Sequence, residues 1–526
     1  MLYTAYSRLR VLPSHVVVPP LFFLLATMIL AHHEMWRDEL QAWGLVVASH
    51  SLIELFANLR QEGHPALWYL LLYGPSRLSP DPILMQGLHV LIATGAVYVF
   101  CRFSPFTLIQ KLSVVFGYYL LYEYAVISRS YVLGVAILFV YCTTRSRVAR
   151  GSLWLALLLA LLLNTNAYVA LIAGGLATLD VFDLIRDPAV GGRDRIRRLA
   201  WFLSVVVLGG WLAVAQAFPP PEMQTRMLKW NASKDSHPIE GSLTRVWKGY
   251  VPIPQPTLKF WNSNVLDGVE FSLGQWQFSS RSLQATLSVG LLLLGMYLLL
   301  PTRKWLVVYG VTTAALLAFM QLKYAGIRHG GHLFVVLLAS LWLAATEMRT
   351  ASLECRSWLA RSLLTLLLLA QIPAAAIAIR ADVAYAFSPA QAVADYARKT
   401  DLINLPILAS RDWMALPVAV YLNHPIHHAE SDTIGTFWRW TPERRHLTPD
   451  ELLEKADQLS AEREAAVLLI ANYNLPTRED GLVKLASFDQ QIITDERYHL
   501  YLRCPSPLPY STTNACHSLS PIAMAP

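Results

Sequence analysis

Two adjacent carboxylates, Asp38 and Glu39, are the residues of this sequence best placed to do chemistry. They follow the first long apolar run and lie between Trp36-Arg37 and Gln41-Ala42-Trp43. Carboxylates at a membrane surface could take a proton from a hydroxyl group or hold a divalent cation. They could equally begin an interfacial helix, where acidic residues complement the helix dipole and tryptophans anchor in the headgroup region. The stretch alone does not separate these two interpretations.

The elements that must position this pair are apolar helices. The chain has 526 residues, of which 55% are hydrophobic and 15% charged, and its mean hydropathy is +0.39. Soluble domains carry about a quarter charged residues. Runs long enough to cross the bilayer lie at 13–32, 83–101, 107–125, 130–144, 152–166, 167–185, 199–217, 284–300, 305–322, 332–347 and 361–380. The first run lacks a small-residue cleavage site, so we expect a retained anchor. The sequence therefore predicts an α-helical polytopic membrane protein with about 11 transmembrane helices.

Basic loops set the predicted orientation, because Lys and Arg collect in short cytoplasmic loops. Basic clusters occur at 145–150, 186–198, 303–304 and 349–361. All of them lie on the same side of the membrane as the N-terminus only if the segment from His64 to Tyr73 does not cross the bilayer. That segment is too short to span the bilayer, so we expect it to be an interfacial helix. The membrane module is then 1–380, with extracytoplasmic loops at 33–82 and 218–283. The net charge of +7 follows from this topology, and no nucleic-acid partner is expected.

Cations on the predicted outer face do not follow this charge rule. Arg129-Ser130-Tyr131 precedes one span, and the stretch from Lys323 to His332, which contains Arg328-His329-Gly330-Gly331, precedes another. An exported arginine needs a partner, which could be Asp38 or Glu39 in an ion pair or a bound anion such as phosphate. The two glycines allow a close backbone approach. For the later stretch we favour an anion site over a solvated loop.

The tail at 381–526 differs in character from the membrane module. Short apolar runs at 406–410, 466–472 and 498–503 are typical of strands, and Thr448-Pro449-Asp450-Glu451 is typical of a helix start. The tail is therefore predicted to be an extracytoplasmic α/β domain. Of the five cysteines, Cys504 and Cys516 could pair there. The other three, Cys101, Cys142 and Cys355, lie near cytoplasmic ends and should be free thiols.

The order of these features resembles the polytopic glycosyltransferases of the GT-C fold. The resemblance is strongest to the family 39-like enzymes, which are related to the protein O-mannosyltransferases and the aminoarabinose lipid A transferase. It extends coarsely over the whole chain, and its specific part is short. That part consists of four motifs: the acidic pair Asp38-Glu39, the His-Pro-x-Leu-x-Tyr helix from His64 to Tyr69, the Arg-x-Tyr turn from Arg129 to Tyr131, and the late Arg-rich turn Arg328-His329.

The resemblance implies inverting transfer of a sugar from a polyprenyl-phosphate-linked donor to a lipid, glycan or protein acceptor on the extracytoplasmic face. The expected location is the inner membrane of a bacterium, among membrane lipids. Asp38 would be the general base on the acceptor hydroxyl. Substrate contacts are expected from Glu39, Gln41, Trp43, His64 and Tyr69. Contacts to the donor phosphate, whose charge must be neutralised as it leaves, are expected from Arg129, Tyr131, Lys323, Arg328 and His329. His64 and Glu39 are also the candidate ligands of a divalent metal cation, the one cofactor considered.

Two other classes of protein stay open. A transporter or flippase of a lipid-phosphate or glycolipid would use the same outward cations without chemistry. Transporters usually place ionisable residues near the midplane and often contain inverted repeats, and neither pattern is evident in this sequence. A structural assembly factor would leave the polar clusters of the outer face without a purpose. The sequence does not fix the donor sugar, the acceptor, the metal requirement or the oligomeric state.

Overall fold

The structure is a computed structural model that describes residues 13–219, 221, 237–273, 276–323, 325–348, 357–439, 444–476 and 481–504. The first part of the membrane module contains α1 (Ser14–Leu30), α2 (Arg37–Ala48), α3 (Leu52–Leu59), α4 (Leu67–Ser76), α5 (Ile83–Phe103), α6 (Leu108–Val115), a π-helix (Tyr118–Glu123), α7 (Tyr131–Arg145), α8 (Leu153–Leu163), α9 (Ala167–Arg186) and α10 (Gly192–Ala217). It continues with α11 (Pro238–Tyr250), a hairpin of β1 (Phe271–Leu273) and β2 (Trp276–Phe278), α12 (Ser280–Leu299), α13 (Arg303–Leu322), α14 (Ile327–Glu347), α15 (Trp358–Leu369) and α16 (Gln371–Ala384).

Long apolar helices make this an integral multi-pass membrane protein. Among the described residues, seven helical segments are long and apolar enough to cross a membrane: α5, α9, α10, α12, α13, α14 and the joined pair α15–α16. The apolar helices α1, α7 and α8 are shorter. The predicted α-helical polytopic architecture is confirmed, whereas the count of eleven spans stays a prediction.

The predicted span at 107–125 is not one continuous helix. It divides at Gly117 into α6 and the π-helix. A side chain at Gly117 would meet the Ser113 carbonyl oxygen at 2.5 Å and the Gln371 Cβ at 2.6 Å, so the chain bends there against α16. Both halves are apolar, and hydropathy therefore cannot reveal the division.

Helix α14 differs from the other long helices because protein surrounds it. Of its most apolar stretch, 94% is buried, against 11% for α10. It begins at Ile327, five residues before the predicted span, and this places Arg328 and His329 in its first turn. The close approach expected of the two glycines is confirmed at Gly330, since a side chain at the facing Gly249 would meet the Gly330 carbonyl oxygen at 2.6 Å.

The C-terminal part is an α/β domain, as predicted. It contains α17 (Ala390–Lys399), a 3-10 turn (Leu402–Asn404), β3 (Ile407–Ala409), α18 (Asp412–Leu422), β4 (Ile426–His428), β5 (Thr433–Gly435), α19 (Pro449–Arg463), β6 (Val467–Ala471), β7 (Leu482–Phe488) and β8 (Tyr498–Arg503). The sheet has the order β5-β4-β3-β6-β8-β7. Strand β3 is parallel to β4 and β6, and the other pairs are antiparallel.

Helices cover both faces of this sheet. One face packs on α17 and α18, and the other packs on α19. Helix α19 begins at the predicted cap, where the Thr448 hydroxyl accepts a hydrogen bond from the Glu451 amide at 3.3 Å. Cys101 and Cys142 are free thiols and Cys504 is disulfide-bonded. Since Cys355 and Cys516 lie outside the described residues, the pairing of Cys504 with Cys516 stays a prediction.

The sheet domain is held against the first loop of the membrane module. The Met35 amide donates a hydrogen bond to the Tyr421 hydroxyl at 2.9 Å. Arg37, at the start of α2, donates from its side chain to Asp495 at 2.9 Å and to Glu496 at 3.2 Å. The acidic pair therefore lies at the junction of the two parts of the chain.

Candidate active site

A cavity of about 490 Å³ opens at this junction. Its polar lining comes from five places in the sequence: α2, the segment before and within α4, the turn before α7, Thr165 between α8 and α9, and the sheet domain. The main contributors are Arg37, Asp38 and Gln41; Glu62, His64 and Tyr69; Arg129 and Ser130; and Trp413, Trp438 and Arg444. Pockets of this size commonly hold small ligands.

Asp38 lies in this cavity within a cluster of arginines. Its Oδ2 is 2.6 Å from the Arg129 Nη1 and 3.3 Å from the Arg328 Nη2, and its Oδ1 is 4.0 Å from the Arg37 Nε. Burial opposes ionisation of Asp38, but the charges of Arg129, Arg328 and Arg37 outweigh it and lower the pKa to about 2. Of the partners expected for Arg129, the structure provides the ion pair with Asp38. Asp38 is therefore ionised at neutral pH, and its low pKa makes it a weak proton acceptor.

The two arginines are fixed by different means. The Arg328 guanidinium lies over two indole rings, 5.2 Å from the centroid of Trp36 and 5.0 Å from that of Trp261. The backbone amide of Arg129 donates to His89 Nε2 at 3.2 Å. Each cation is thus held in place before any ligand binds, and fixed guanidinium groups suit the recognition of carboxylates and phosphates.

Glu39, although adjacent to Asp38, does not reach the cavity. Its side chain is 0% exposed. One oxygen accepts from the Ser128 amide at 2.5 Å and the other lies 3.1 Å from His33 Nε2. His33 in turn lies 2.8 Å from Asp382 in α16. The predicted substrate contact does not fit this position, because the carboxylate is enclosed and already bonded; Glu39 instead links α2 to the bundle.

Glu62 is a cavity carboxylate that the sequence analysis did not single out. Its Oε1 accepts from Gln41 Nε2 at 2.5 Å and its Oε2 accepts from the Tyr69 hydroxyl at 3.3 Å. Burial raises the pKa of Glu62 to about 7, although these hydrogen bonds and the charge of Arg129 act against it. The available signal was its position two residues before His64.

The other predicted substrate contacts divide into two groups. Gln41, His64 and Tyr69 line the cavity, and His64 Nδ1 lies 2.8 Å from the Glu62 carbonyl oxygen. Trp43 is fully buried, and its indole donates to the Pro80 carbonyl at 2.6 Å. Trp43 thus packs behind the site rather than in it.

The predicted phosphate contacts also divide. Arg129 and Arg328 converge on Asp38, whereas Tyr131 and His329 pair with each other at 3.0 Å. The Gly326 amide donates to His329 Nδ1 at 2.9 Å, so Nε2 carries the proton and donates to the Tyr131 hydroxyl. The His329 ring also stacks on Tyr168, with centroids 4.7 Å apart. Neither Tyr131, His329 nor Lys323, which follows α13, is among the residues lining this cavity.

The candidate metal ligands do not come together. His64 lines the cavity, but both oxygens of Glu39 are bonded elsewhere. Within the part of the chain that the structure describes, no group of three His, Cys, Asp or Glu side chains could hold a metal ion. His64 and Glu39 therefore do not fit a shared cation.

The sheet domain contributes an aromatic wall that sequence reasoning missed. The Arg444 guanidinium lies 3.8 Å from the centroid of Trp413 and 5.4 Å from that of Trp438. The Arg444 Nη2 also lies 3.1 Å from a Glu430 oxygen. The Gln41 amide binds the backbone of Trp438 through both its nitrogen, at 2.8 Å, and its oxygen, at 3.0 Å. This wall is therefore joined directly to α2 at the cavity.

Comparisons with known proteins give a distant structural likeness. No protein-family profile matches the chain, and no curated protein matches it. The chain is similar to the crystal structure of ArnT from Cupriavidus metallidurans bound to undecaprenyl phosphate, with 11% identity, coverage of 94% of this chain and 98% of that one, and a TM-score of 0.46. For ArnT of the same organism in the apo state the identity is 11%, the coverage 92% and 97%, and the TM-score 0.44.

Proposed function

We propose that this protein is an inverting glycosyltransferase. It moves a sugar from a polyprenyl-phosphate-linked donor to an acceptor on the extracytoplasmic face of a bacterial inner membrane. The observation that carries the proposal is the convergence of Arg129 and Arg328 on one anionic position inside a cavity that also contains carboxylates. The motifs that resemble GT-C glycosyltransferases supply three of the residues at that position.

The arginines suit the leaving group of such a reaction. Asp38 is the anion they hold in the free protein, at 2.6 and 3.3 Å. A donor phosphate that approached the same cations would make charge-assisted hydrogen bonds with them. As the bond between sugar and phosphate breaks, negative charge grows on the phosphate oxygen, and fixed cations stabilise that charge most at this stage.

The acceptor is proposed to occupy the part of the cavity lined by the sheet domain. Inversion requires the acceptor hydroxyl to attack the anomeric carbon from the face opposite the phosphate, with a nearby base to take its proton. The aromatic wall of Trp413 and Trp438 lies on the sheet-domain side, and both are half-buried. Aromatic faces with a few polar groups are typical of small-molecule sites. A transporter would have no need of a carboxylate beside the acceptor position.

Transfer assays with purified protein test this function. The donors are synthetic undecaprenyl-phosphate sugars, and the readout is the release of undecaprenyl phosphate together with native mass spectrometry of lipid adducts. We expect Asp38→Asn to reduce transfer and to weaken the adduct without abolishing it, and Arg328→Ala to lose the adduct. Arg303→Ala is the matched control, because Arg303 is an exposed cation at the start of α13.

Two results would contradict the proposal. One is the absence of both adduct and product with every lipid-linked sugar while the protein remains folded. The other is movement of the intact lipid-linked sugar to the opposite leaflet of vesicles without cleavage of the sugar, which would establish a flippase instead.

A further inference from the structure

The carboxylate that the motif resemblance makes the base is poorly suited to accept a proton. Two arginines contact Asp38 Oδ2, and a third lies 4.0 Å from Oδ1. A proton on Asp38 would leave these cations without their shared counter-charge. The charges of these arginines outweigh burial and lower the pKa of Asp38 to about 2. An efficient general base has a pKa near the operating pH, so Asp38 is a poor candidate for the base.

A second carboxylate in the cavity has the opposite environment. Glu62 is bonded by the neutral groups of Gln41 and Tyr69. Of the described residues, no Lys, Arg or His side chain lies within ion-pair distance of it. The charged and titratable groups that face it are Arg129, Asp38, Tyr69 and His64. Its pKa of about 7 arises from burial, against which the Gln41 and Tyr69 hydrogen bonds and the Arg129 charge act.

The position of Glu62 relative to the arginines is fixed through α2. Asp38 and Gln41 are three residues apart on this helix, so their side chains lie on one face with Cβ atoms about 5–6 Å apart. The Trp438 amide donates to the Gln41 oxygen at 3.0 Å, and the Gln41 nitrogen therefore faces Glu62. Arg129, Asp38 and Glu62 therefore line one cavity, and Arg328 contacts Asp38 at its edge.

We propose that Glu62 accepts the proton of the acceptor hydroxyl, and that Asp38 is a positioning residue for Arg129 and Arg328. This inference rests on the proposed function. In the transfer step the acceptor oxygen forms a bond to the anomeric carbon, and the bond from that carbon to the phosphate oxygen breaks. The electron pair of the broken bond stays on polyprenyl phosphate, beside the arginines. The hydroxyl proton moves to Glu62, which returns it to water after the product leaves.

The pH dependence of transfer distinguishes the two carboxylates. In the wild type, kcat/KM should fall as pH drops below about 7, because protonated Glu62 cannot act as base. Glu62→Gln should lower kcat by about 10²–10⁴-fold, change the donor KM little and remove this acid limb. Asp38→Asn should keep the acid limb while it raises the donor KM. Formate should partly restore transfer to Glu62→Ala.

Tyr69→Phe provides an independent measurement if Glu62→Gln fails to fold. The Tyr69 hydrogen bond favours ionised Glu62. Its loss should therefore raise the pKa of Glu62 and move the acid limb to higher pH while transfer continues.

The outcomes separate this inference from the proposed function. If the wild type transfers sugar but Glu62→Gln keeps the acid limb and more than a tenth of kcat, Glu62 is not the base and the proposed function stands. An acid limb in Tyr69→Phe at the wild-type pH would also overturn the role of Glu62. If the wild type transfers no sugar from any lipid-linked donor, the proposed function itself fails.

Discussion

Replacement of Glu39 by glutamine should reduce stability, whereas the same isosteric change at Asp38 should mainly reduce transfer. Glu39 lies 3.1 Å from His33, which lies 2.8 Å from Asp382. All three side chains are buried. Glu39→Gln leaves His33 with one charged partner instead of two, in surroundings without water to replace the loss.

The size of the effect follows from the charge state of His33. Burial alone lowers its pKa, but Asp382 and Glu39 outweigh burial and raise the pKa from 6.5 to about 10. One pKa unit corresponds to about 1.4 kcal/mol, so protonated His33, after the cost of its burial, stabilises the fold by roughly 5 kcal/mol relative to neutral His33. Loss of one partner should cost about half of this, roughly 2–3 kcal/mol.

Thermal unfolding in detergent, followed by tryptophan fluorescence, measures this cost. At pH 7 the Tm of Glu39→Gln should be lower than that of the wild type by roughly 2–3 °C. A raised pKa stabilises the protonated state, so the contribution of His33 is complete below pH 6.5 and is lost as pH rises through about 10. The difference between the wild type and Glu39→Gln should therefore shrink as pH approaches 10.

Asp38→Asn is the matched control, since Asp38 is 28% exposed and solvent screens its ion pairs. A Glu39→Gln protein with the wild-type Tm at every pH, but without transfer, would refute the structural role of Glu39 and return it to the chemistry.

Two further predictions concern packing and the aromatic wall. Gly331→Ala should destabilise the protein by about 1–3 kcal/mol, because the added methyl group would meet Tyr119 and Tyr124. The control is Gly290→Ala, which should leave the Tm unchanged because a side chain there would meet no atom within 4 Å. Equal Tm values for the two variants would contradict the packing described around Gly331. Trp413→Ala should raise the acceptor KM by about tenfold and leave donor binding unchanged. Steady-state transfer assays measure both quantities. A change confined to the donor KM would show that this wall does not bind the acceptor.

The sequence predicted the fold better than the site, for physical reasons. Apolar runs and basic loops depend on local composition, so most membrane helices and three strands of the sheet domain, β3, β6 and β8, could be predicted directly. The arginines were found because cations on an outer face need partners. Asp38 and Glu39 were harder to separate, since neighbours on a helix point about 100° apart: one reaches the cavity and the other the bundle.

Glu62 and the aromatic wall could not be identified in the same way. Glu62 accepts a hydrogen bond from Gln41, which lies 21 residues away in sequence, and Gln41 contacts Trp438, 397 residues away. Neither contact leaves a periodic pattern in a single sequence. Burial, which raises the pKa of Glu62, exists only after the chain has folded.

Because α14 is surrounded by protein, the geometry of the site should not depend on the thickness of the bilayer. Its neighbours are protein along nearly its whole length, whereas α10 is largely exposed at the periphery. A change in lipid acyl-chain length acts on exposed helices, which tilt or distort the bilayer to match it. Arg328 stands at the end of the shielded helix, so its distance to Asp38 is set by side-chain packing. The outer helices can adjust to different membranes while the reacting groups keep their spacing.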